Sequence, residues 1–154
     1  MAADQRAEAL ARRVADAMRS SDAATTGAGV ELVDVGPSWA VVRLTVTSRH
    51  VNGHGVCHGG YLFLLADSAF AYACNSFGVP TLAAGGEISF LRPGRLGAEL
   101  VAEARLRSSV GRSGIYDVTV RDGDAVVAEF RGRSREVPTL PHPPGFTPDP
   151  PADR

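Results

Sequence analysis

A single carboxylate, Asp67, stands in the middle of a strongly apolar stretch, CHGGYLFLLADSAFAYACNSFG, which covers residues 57–78. An ionised carboxylate in apolar surroundings is costly unless it is paired, hydrogen-bonded or shifted in pKa. One interpretation is structural: Asp67 caps a backbone group or pairs with an arginine, and composition alone favours this. The other is chemical: Asp67 is a general base or a nucleophile that lines a crevice.

Two glycines, Gly59 and Gly60, strengthen the chemical interpretation. The apolar stretch predicts one long helix over about residues 58–76, which Gly78 and Pro80 end. Backbone N–H groups at a helix N-terminus are free and lie at the positive end of the dipole, so they suit an oxyanion. Glycine also lets a carbonyl group come close, although a tight turn entering the helix explains the same pair.

The spacing of these residues predicts an assembly. Gly59 and Asp67 lie eight residues apart, which is about 12 Å along a helix axis. One carbonyl group cannot contact both residues of a single helix. If they cooperate, they come from two copies of the chain, so we expect an obligate homodimer with active sites across a two-fold interface.

Other chemistries are conceivable in the loop before the helix. Cys57, flanked by His54 and His58, stands where a thiol pKa can be lowered, but no third orienting group accompanies it. The same three residues suggest a metal site, although a structural zinc needs a fourth ligand and none is evident nearby. Cys74, within the helix, is most simply a small buried apolar residue.

Around this helix the chain predicts an α+β domain. Residues 5–19 form an amphipathic helix, the polar run SSDAATTGAG then ends it, and alternating apolar and polar residues predict strands. These strands cover residues 30–35, 40–47, 82–92, 98–108, 114–121 and 125–136, with Leu106, Val126, Ala128 and Phe130 among the side chains expected to face inward. An antiparallel sheet wrapped around a helix too apolar to face water is the hotdog fold.

Length and charge limit the function classes. The chain has 154 residues, 16 basic and 17 acidic side chains and a formal charge of -1, so we expect no nucleic-acid or membrane partner. All the basic residues are arginine. Two cysteines give no disulfide framework, and no stretch resembles a secretory signal or a bilayer span. We therefore expect a soluble, cytoplasmic protein.

The C-terminal residues differ from the rest of the chain. VPTLPHPPGFTPDPPADR is rich in proline, which cannot donate to a strand ladder. We expect one domain over residues 1–136 and a disordered tail over residues 137–154, with His142 a flexible surface residue.

The segments NGHGVCHGGYLFLLADSAFAYACNSFG, ISFLRPG, GIYDV and FRGRS resemble the hotdog-fold acyl-CoA thioesterases of the phenylacetate pathway, the PaaI-type hydroxyphenylacetyl-CoA thioesterases. The similarity runs over residues 30–136, and its most specific part is HGG with an aspartate eight residues after the first glycine. The FLRPG segment adds only supporting evidence, because many hotdog proteins carry a similar segment. Ala83 stands where some related thioesterases place a serine that orients water.

The resemblance implies roles for four residues. The Gly59 N–H would point at the thioester oxygen. Asp67 of the other subunit would act as general base toward water, or as a nucleophile that forms a mixed anhydride. Asn52 would orient the water or bind near the thioester, and His58 would help to hold the loop.

The resemblance also implies a substrate and an assembly. The expected substrates are aryl-acyl-CoA thioesters, hydroxyphenylacetyl-CoA and phenylacetyl-CoA in phenylacetate degradation, hydrolysed by a dimer of dimers without metal or organic cofactor. Coenzyme A is part of the substrate, and Gly60, Arg92, Arg131 and Arg133 are candidates to bind it. Ordinary surface arginines explain the last three equally well. Two alternatives stay open: a non-catalytic acyl-CoA-binding module, and a hotdog dehydratase using His54 or His58.

Overall fold

The computed structural model describes residues 1–150, which fold into three helices and one six-stranded sheet. The helices are α1 (Ala2–Ser21), α2 (Ala23–Ala28) and α3 (Gly59–Cys74). The strands are β1 (Glu31–Gly36), β2 (Trp39–Thr45), β3 (Thr81–Phe90), β4 (Glu99–Val110), β5 (Ser113–Asp122) and β6 (Ala125–Glu136).

The sheet is antiparallel throughout, in the order β1-β2-β4-β5-β6-β3. Short turns join β1 to β2, β4 to β5 and β5 to β6, and Gly123 takes a φ of 56° in the last of them. The predicted α+β architecture is confirmed. Strand β3 lies at one edge of the sheet, where it pairs with β6 and with no other strand of residues 1–150.

Helix α3 packs its apolar side on the sheet and forms the centre of the core. Leu65, Ala66, Ala69 and Ala73 are fully buried. The sheet makes room for Phe70 at Gly132, where a Cβ would lie 2.8 Å from the Phe70 ring. This close approach is why β6 carries a glycine in its middle.

One side of α3 is not covered by its own sheet. Gly60, Phe63, Leu64, Asp67 and Ala71 all keep part of their surface exposed, and they recur at helical spacing along one stripe. The expectation that this helix faces water nowhere is therefore wrong for the single protomer. An apolar stripe with one carboxylate lies at its surface.

Three local details differ from the sequence predictions. The polar run after α1 forms the short helix α2, because Asp22 caps it by accepting a hydrogen bond from the Thr25 N–H at 2.9 Å. Leu106 is 36% exposed, because β4 continues past the helix layer and residues 105–110 all lie in the open. A bulge in β6 buries Val127 beside Ala128 and leaves Val126 only half-buried.

The C-terminal residues also differ from expectation. Phe146 is 8% exposed and packs with Val14 and Ala17 of α1 in a second, small apolar cluster. The prediction of a disordered tail is wrong for residues 137–150, because one aromatic side chain among the prolines docks on α1. Residues 151–154 lie outside the described part of the chain. The rings of His142 and Phe146 contact each other with their planes tilted by 60° and their centroids 5.3 Å apart.

Within residues 1–150, no helix combines the length and the apolar character needed to cross a bilayer. The cytoplasmic location stays a prediction.

Candidate active site

The N-terminus of α3 presents a free backbone donor. His58 is the N-cap, and its Nδ1 accepts a hydrogen bond from the Gly60 N–H at 2.9 Å. The next two N–H groups, of Tyr61 and Leu62, donate to the His58 carbonyl. The Gly59 N–H has no acceptor among residues 1–150, so it remains available at the positive end of the helix dipole.

The space in front of Gly59 is bounded by an aromatic ring. A Cβ at position 59 would lie 3.0 Å from Cζ of Phe90, at the end of β3, and Phe90 is itself 53% exposed. Glycine therefore leaves room for a ligand atom in front of the helix start, whereas an added Cβ fits only if the exposed Phe90 ring shifts. Phe90 belongs to the ISFLRPG segment, but no local pattern indicates that its ring reaches the helix start.

The loop before α3 is held by side-chain to backbone hydrogen bonds. Oδ1 of Asn52 accepts from the His54 N–H at 2.9 Å and from the Val56 N–H at 3.4 Å. In the protomer Asn52 thus shapes the loop that delivers Gly59, and its suggested role toward water stays a prediction. His58 also holds this region in place, through its cap.

His50 is a second organiser that was not expected from the sequence. It is 4% exposed; its Nδ1 accepts from the Thr47 N–H at 2.9 Å, and its Nε2 donates to the Ala28 carbonyl at 2.6 Å. Its ring also meets Tyr61 edge-on, with centroids 4.8 Å apart. Ala28 and Tyr61 are distant from His50 in sequence, and the Thr47 contact is to a backbone N–H. No sequence motif therefore indicates this role of His50.

Asp67 lies half-buried in the exposed stripe of α3 and has no protein partner within residues 1–150. No hydrogen bond or ion pair of these residues involves its carboxylate, so the arginine-pairing and capping interpretations are not realised in the protomer. Burial raises the pKa of Asp67, and the charge of Asp22 raises it further. Such a carboxylate is poised to accept a proton or to attack.

The Asp67 side chain lines a cavity of about 600 Å³. Its walls come from the ends of α1 and α3, from the start of β3 and from the C-terminal residues. The walls are mainly apolar. Besides Asp67, the lining residues include Met18, Asp22, Phe70, Leu82, Ala83 and His142. A pocket of this size and character accommodates a small acyl group.

Two of these residues were not foreseen as part of the site. Asp22 could have been found as a helix cap, because a threonine follows it at the third position. Its approach to Asp67 depends on how α2 packs near α3, which no local pattern shows. His142 enters the cavity wall only because the C-terminal residues dock on α1.

The cysteine chemistry considered above is not supported by the geometry. Cys57 is 4% exposed, and burial raises the pKa of its thiol to about 11. A reactive thiol needs a lowered pKa and access to substrate. Cys74 is also buried, with its thiol pKa raised to about 12. In the described part of the chain, no three His, Cys, Asp or Glu side chains converge in a way that could hold a metal ion.

The candidate coenzyme A arginines lie apart from this cavity in the protomer. Arg131 and Arg133 extend from the face of β6 opposite α3, since Gly132 between them faces Phe70. Arg131 pairs with Asp117 at 2.6 Å, and Arg133 lies 3.3 Å from Glu87. Arg92 donates to the Val126 carbonyl at 2.7 Å. Whether these residues bind coenzyme A stays a prediction, as does the role of Gly60.

Comparison with known proteins agrees with this geometry. The family model described as "Thioesterase superfamily" matches residues 54–129, a range that holds both Gly59 and Asp67. The chain is 44% identical over 124 residues to the acyl-coenzyme A thioesterase PaaI of Escherichia coli K12, a match covering 80% of this chain and 89% of that protein.

Solved structures show the same fold. The E. coli PaaI protein from the phenylacetic acid degradation operon superimposes with a TM-score of 0.82 at 42% identity, covering 84% of this chain and 95% of that one. A variant of the phenylacetic acid degradation protein PaaI of Thermus thermophilus gives 0.73 at 34% identity, covering 75% and 100%. The predicted hotdog fold is confirmed, and the chain belongs to the thioesterase superfamily.

Proposed function

We propose that this protein hydrolyses aryl-acyl-CoA thioesters, with phenylacetyl-CoA and its ring-hydroxylated forms as substrates, and that it serves phenylacetate degradation. The observation that carries the proposal is the Asp67 carboxylate. It is unpartnered among residues 1–150, raised in pKa, and set in an apolar cavity on a helix whose first N–H is free. The names of the relatives, an acyl-CoA thioesterase and a protein of a phenylacetic acid degradation operon, support this substrate class.

The reaction follows from two groups. The Gly59 N–H donates to the thioester oxygen and stabilises the negative charge that develops there when the carbonyl carbon is attacked. As general base, Asp67 takes a proton from water while the water oxygen bonds to that carbon, and the tetrahedral intermediate expels the coenzyme A thiolate. As nucleophile, Asp67 bonds to the carbon itself and the coenzyme A thiolate leaves, which gives a mixed anhydride. Water then hydrolyses this anhydride to the free acid and regenerates the Asp67 carboxylate.

The two groups act together across a subunit interface. On one α3 they lie about 12 Å apart along the helix axis. The stripe that carries Asp67 is incompletely covered. Within residues 1–150 one edge of β3 pairs with no strand, and Leu82 and Phe90 on β3 are each 53% exposed. A second copy of the chain would cover these apolar surfaces and bring its Gly59 to Asp67. We extend this to a dimer of dimers in the working enzyme.

The remaining residues have supporting roles. Asn52 and His58 hold the loop that places Gly59. The hydrogen bonds that their side chains accept from backbone N–H groups support this role. Gly60, Arg92, Arg131 and Arg133 are proposed contacts of the coenzyme A portion. Hydrolysis by a carboxylate and a backbone donor needs no metal or organic cofactor, and coenzyme A enters only with the substrate.

Thiol release from phenylacetyl-CoA, 3,4-dihydroxyphenylacetyl-CoA and an aliphatic acyl-CoA tests the proposal in the wild type and in Asp67→Asn. We expect turnover of the arylacetyl substrates and a loss of about a hundredfold or more in the variant, which removes the base or nucleophile. Light scattering must show that both proteins assemble alike. Equal activity of the variant contradicts the role of Asp67, and an inert wild type points to a binding module or to a dehydratase.

A further inference from the structure

The C-terminal segment, defined here as residues 137–149, forms part of the wall of the Asp67 cavity. It leaves β6 at Glu136, and the Val137 N–H donates to the Pro80 carbonyl at 2.7 Å. Residues 140–144 then line the cavity together with side chains of α1, α3 and β3. Without this segment, the cavity would open to solvent on that side.

The segment is fixed to the domain by one aromatic anchor and one arginine. Phe146 packs with Val14 and Ala17. Its ring also lies close to Gly78, where an added Cβ would be 3.1 Å from the Phe146 Cζ. Arg13 donates to Asp149 at 2.8 Å and to the Thr147 carbonyl at 2.8 Å, and its guanidinium lies 5.6 Å from the Phe146 ring centre. These contacts hold a proline-rich segment that could not form a strand.

The polar side chains of the cavity divide into satisfied and free groups. Asp22 accepts from Thr25, and Asn75 exchanges hydrogen bonds with the backbone of Thr81. Ser21 and Thr81 each donate to a backbone carbonyl. Of the charged, amide, hydroxyl and imidazole groups in the lining, Asp67 and His142 make no side-chain hydrogen bond within residues 1–150.

Asp67 is assigned to the reacting carbonyl, which leaves the imidazole of His142 without a role. A ring nitrogen of histidine donates or accepts a hydrogen bond, and a phenolic hydroxyl does both. The rest of the lining is mainly apolar and suits an aromatic ring. His142 is therefore placed to distinguish a hydroxylated ring from a plain one.

We propose that the C-terminal segment is a wall of the acyl pocket and that His142 binds a ring hydroxyl of the acyl group, so that hydroxylated arylacetyl groups are preferred. This inference rests on the proposed function for the identity of the ligand. His142 is a specificity-determining residue here, not one that takes part in bond breaking. The segment acts through its anchor, Phe146, which positions His142.

Binding of non-hydrolysable thioether analogues tests the proposal without requiring turnover. The analogues carry either a phenylacetyl-like or a 3,4-dihydroxyphenylacetyl-like group on coenzyme A, and calorimetry gives their dissociation constants. We expect the wild type to prefer the dihydroxy analogue, and His142→Ala to reduce that preference about three- to tenfold, the size of one neutral hydrogen bond. His142→Gln, which keeps a hydrogen-bonding group, should restore part of it.

Two further variants separate the anchor from the histidine. Phe146→Ala should weaken binding of both analogues and reduce the preference, because the wall and His142 lose their position. Thr147→Ala is the matched control, since this exposed side chain lies in the same segment but outside the cavity. If Phe146→Ala fails to fold, as judged by circular dichroism, His142→Ala and His142→Gln still decide the question.

The outcomes distinguish this inference from the proposed function. Analogue binding with a His142-dependent preference supports the inference even if the wild type hydrolyses no thioester. A preference unchanged in His142→Ala overturns it even if Asp67-dependent hydrolysis is observed. Failure of both analogues to bind the wild type overturns it as well.

Discussion

Asp22, the residue between α1 and α2, and Asp67 of α3 line the same cavity, and the charge of Asp22 adds to burial in raising the pKa of the Asp67 carboxyl. Asp22 is there for a structural reason, since it caps α2 through the Thr25 N–H. The carboxylate that caps α2 therefore also acts electrostatically on Asp67. A residue that starts a short helix thus tunes the carboxylate to which we assign the chemistry.

This relationship predicts a pH dependence. Asp67 must be ionised to act as base or nucleophile, so activity should fall as the pH falls through its raised pKa. Replacing Asp22 with Asn keeps a good helix cap but removes the charge, which lowers the pKa of Asp67. We expect the acid limb of the kcat/KM profile to move to lower pH in Asp22→Asn.

The control for that measurement is Asp124→Asn, which removes an exposed carboxylate outside the cavity. Its profile should overlay that of the wild type. An acid limb that stays in place in Asp22→Asn would show that Asp22 does not act on the group that limits the rate.

A second prediction concerns stability. Because the folded-state pKa of Asp67 is raised above its unfolded value, the stability linked to this group is present at low pH and lost as the pH rises through the folded-state pKa. The amide that replaces the carboxyl in Asp67→Asn does not titrate. Asp67→Asn should therefore melt at a higher temperature than the wild type near neutral pH, and the difference should shrink on acidification. A variant that is less stable at neutral pH would mean that the ionised carboxylate has a favourable partner.

A third prediction tests the oxyanion donor by deleting it. Proline is tolerated at the first position of a helix, and His58 before it has φ -59° and ψ 136°, a conformation that a following proline favours. Gly59→Pro removes the N–H without removing a hydrogen bond within residues 1–150. We expect a loss of about a hundredfold or more in kcat.

The matched control is Gly59→Ala, which keeps the N–H but adds a Cβ 3.0 Å from Phe90. Since the Phe90 ring is half exposed and able to shift, this variant should retain much more activity than Gly59→Pro. Equal losses in the two variants would mean that crowding, and not the missing donor, explains the effect.

A fourth prediction concerns the buried thiol beside the helix. With a pKa raised to about 11, Cys57 is almost entirely protonated at neutral pH. Cys57→Ala should keep kcat within about twofold of the wild type and cost about 1 kcal/mol of stability from the lost packing. Thiol release and a denaturant melt measure the two effects. Loss of turnover in a folded, assembled Cys57→Ala would restore the cysteine mechanism.

The order of elements was predictable from the sequence because the periodicities are strong. The apolar run around Asp67 could only be a buried helix or a bilayer span. A bilayer span is excluded because the run contains a carboxylate and because α3 has only 16 residues. The strands alternate clearly enough to set their inward faces. The bulge at Val127 was missed because one extra residue shifts the alternation without any local sign.

The site was only half predictable. Gly59 and Asp67 stand out because glycines precede a helix and a charge interrupts an apolar run. The cavity walls depend on tertiary contacts between distant segments, such as Phe146 docking on α1 and Asp22 approaching α3. A six-residue helix of small residues and a single aromatic among prolines carry no periodicity from which such contacts could be inferred.

The central claim is that Gly59 of one subunit and Asp67 of another form each active site, and subunit complementation tests it most directly. Gly59→Pro and Asp67→Asn chains, each inactive alone, are unfolded together in equal amounts and refolded. A mixed dimer then has one site with both native groups and one with neither. Random pairing should restore about a quarter of the wild-type activity. The two parent variants, refolded separately, are the controls, and mass spectrometry must show that the mixture contains mixed dimers. If the activity of that mixture stays at the level of the controls, both groups belong to the same subunit and the claim is contradicted.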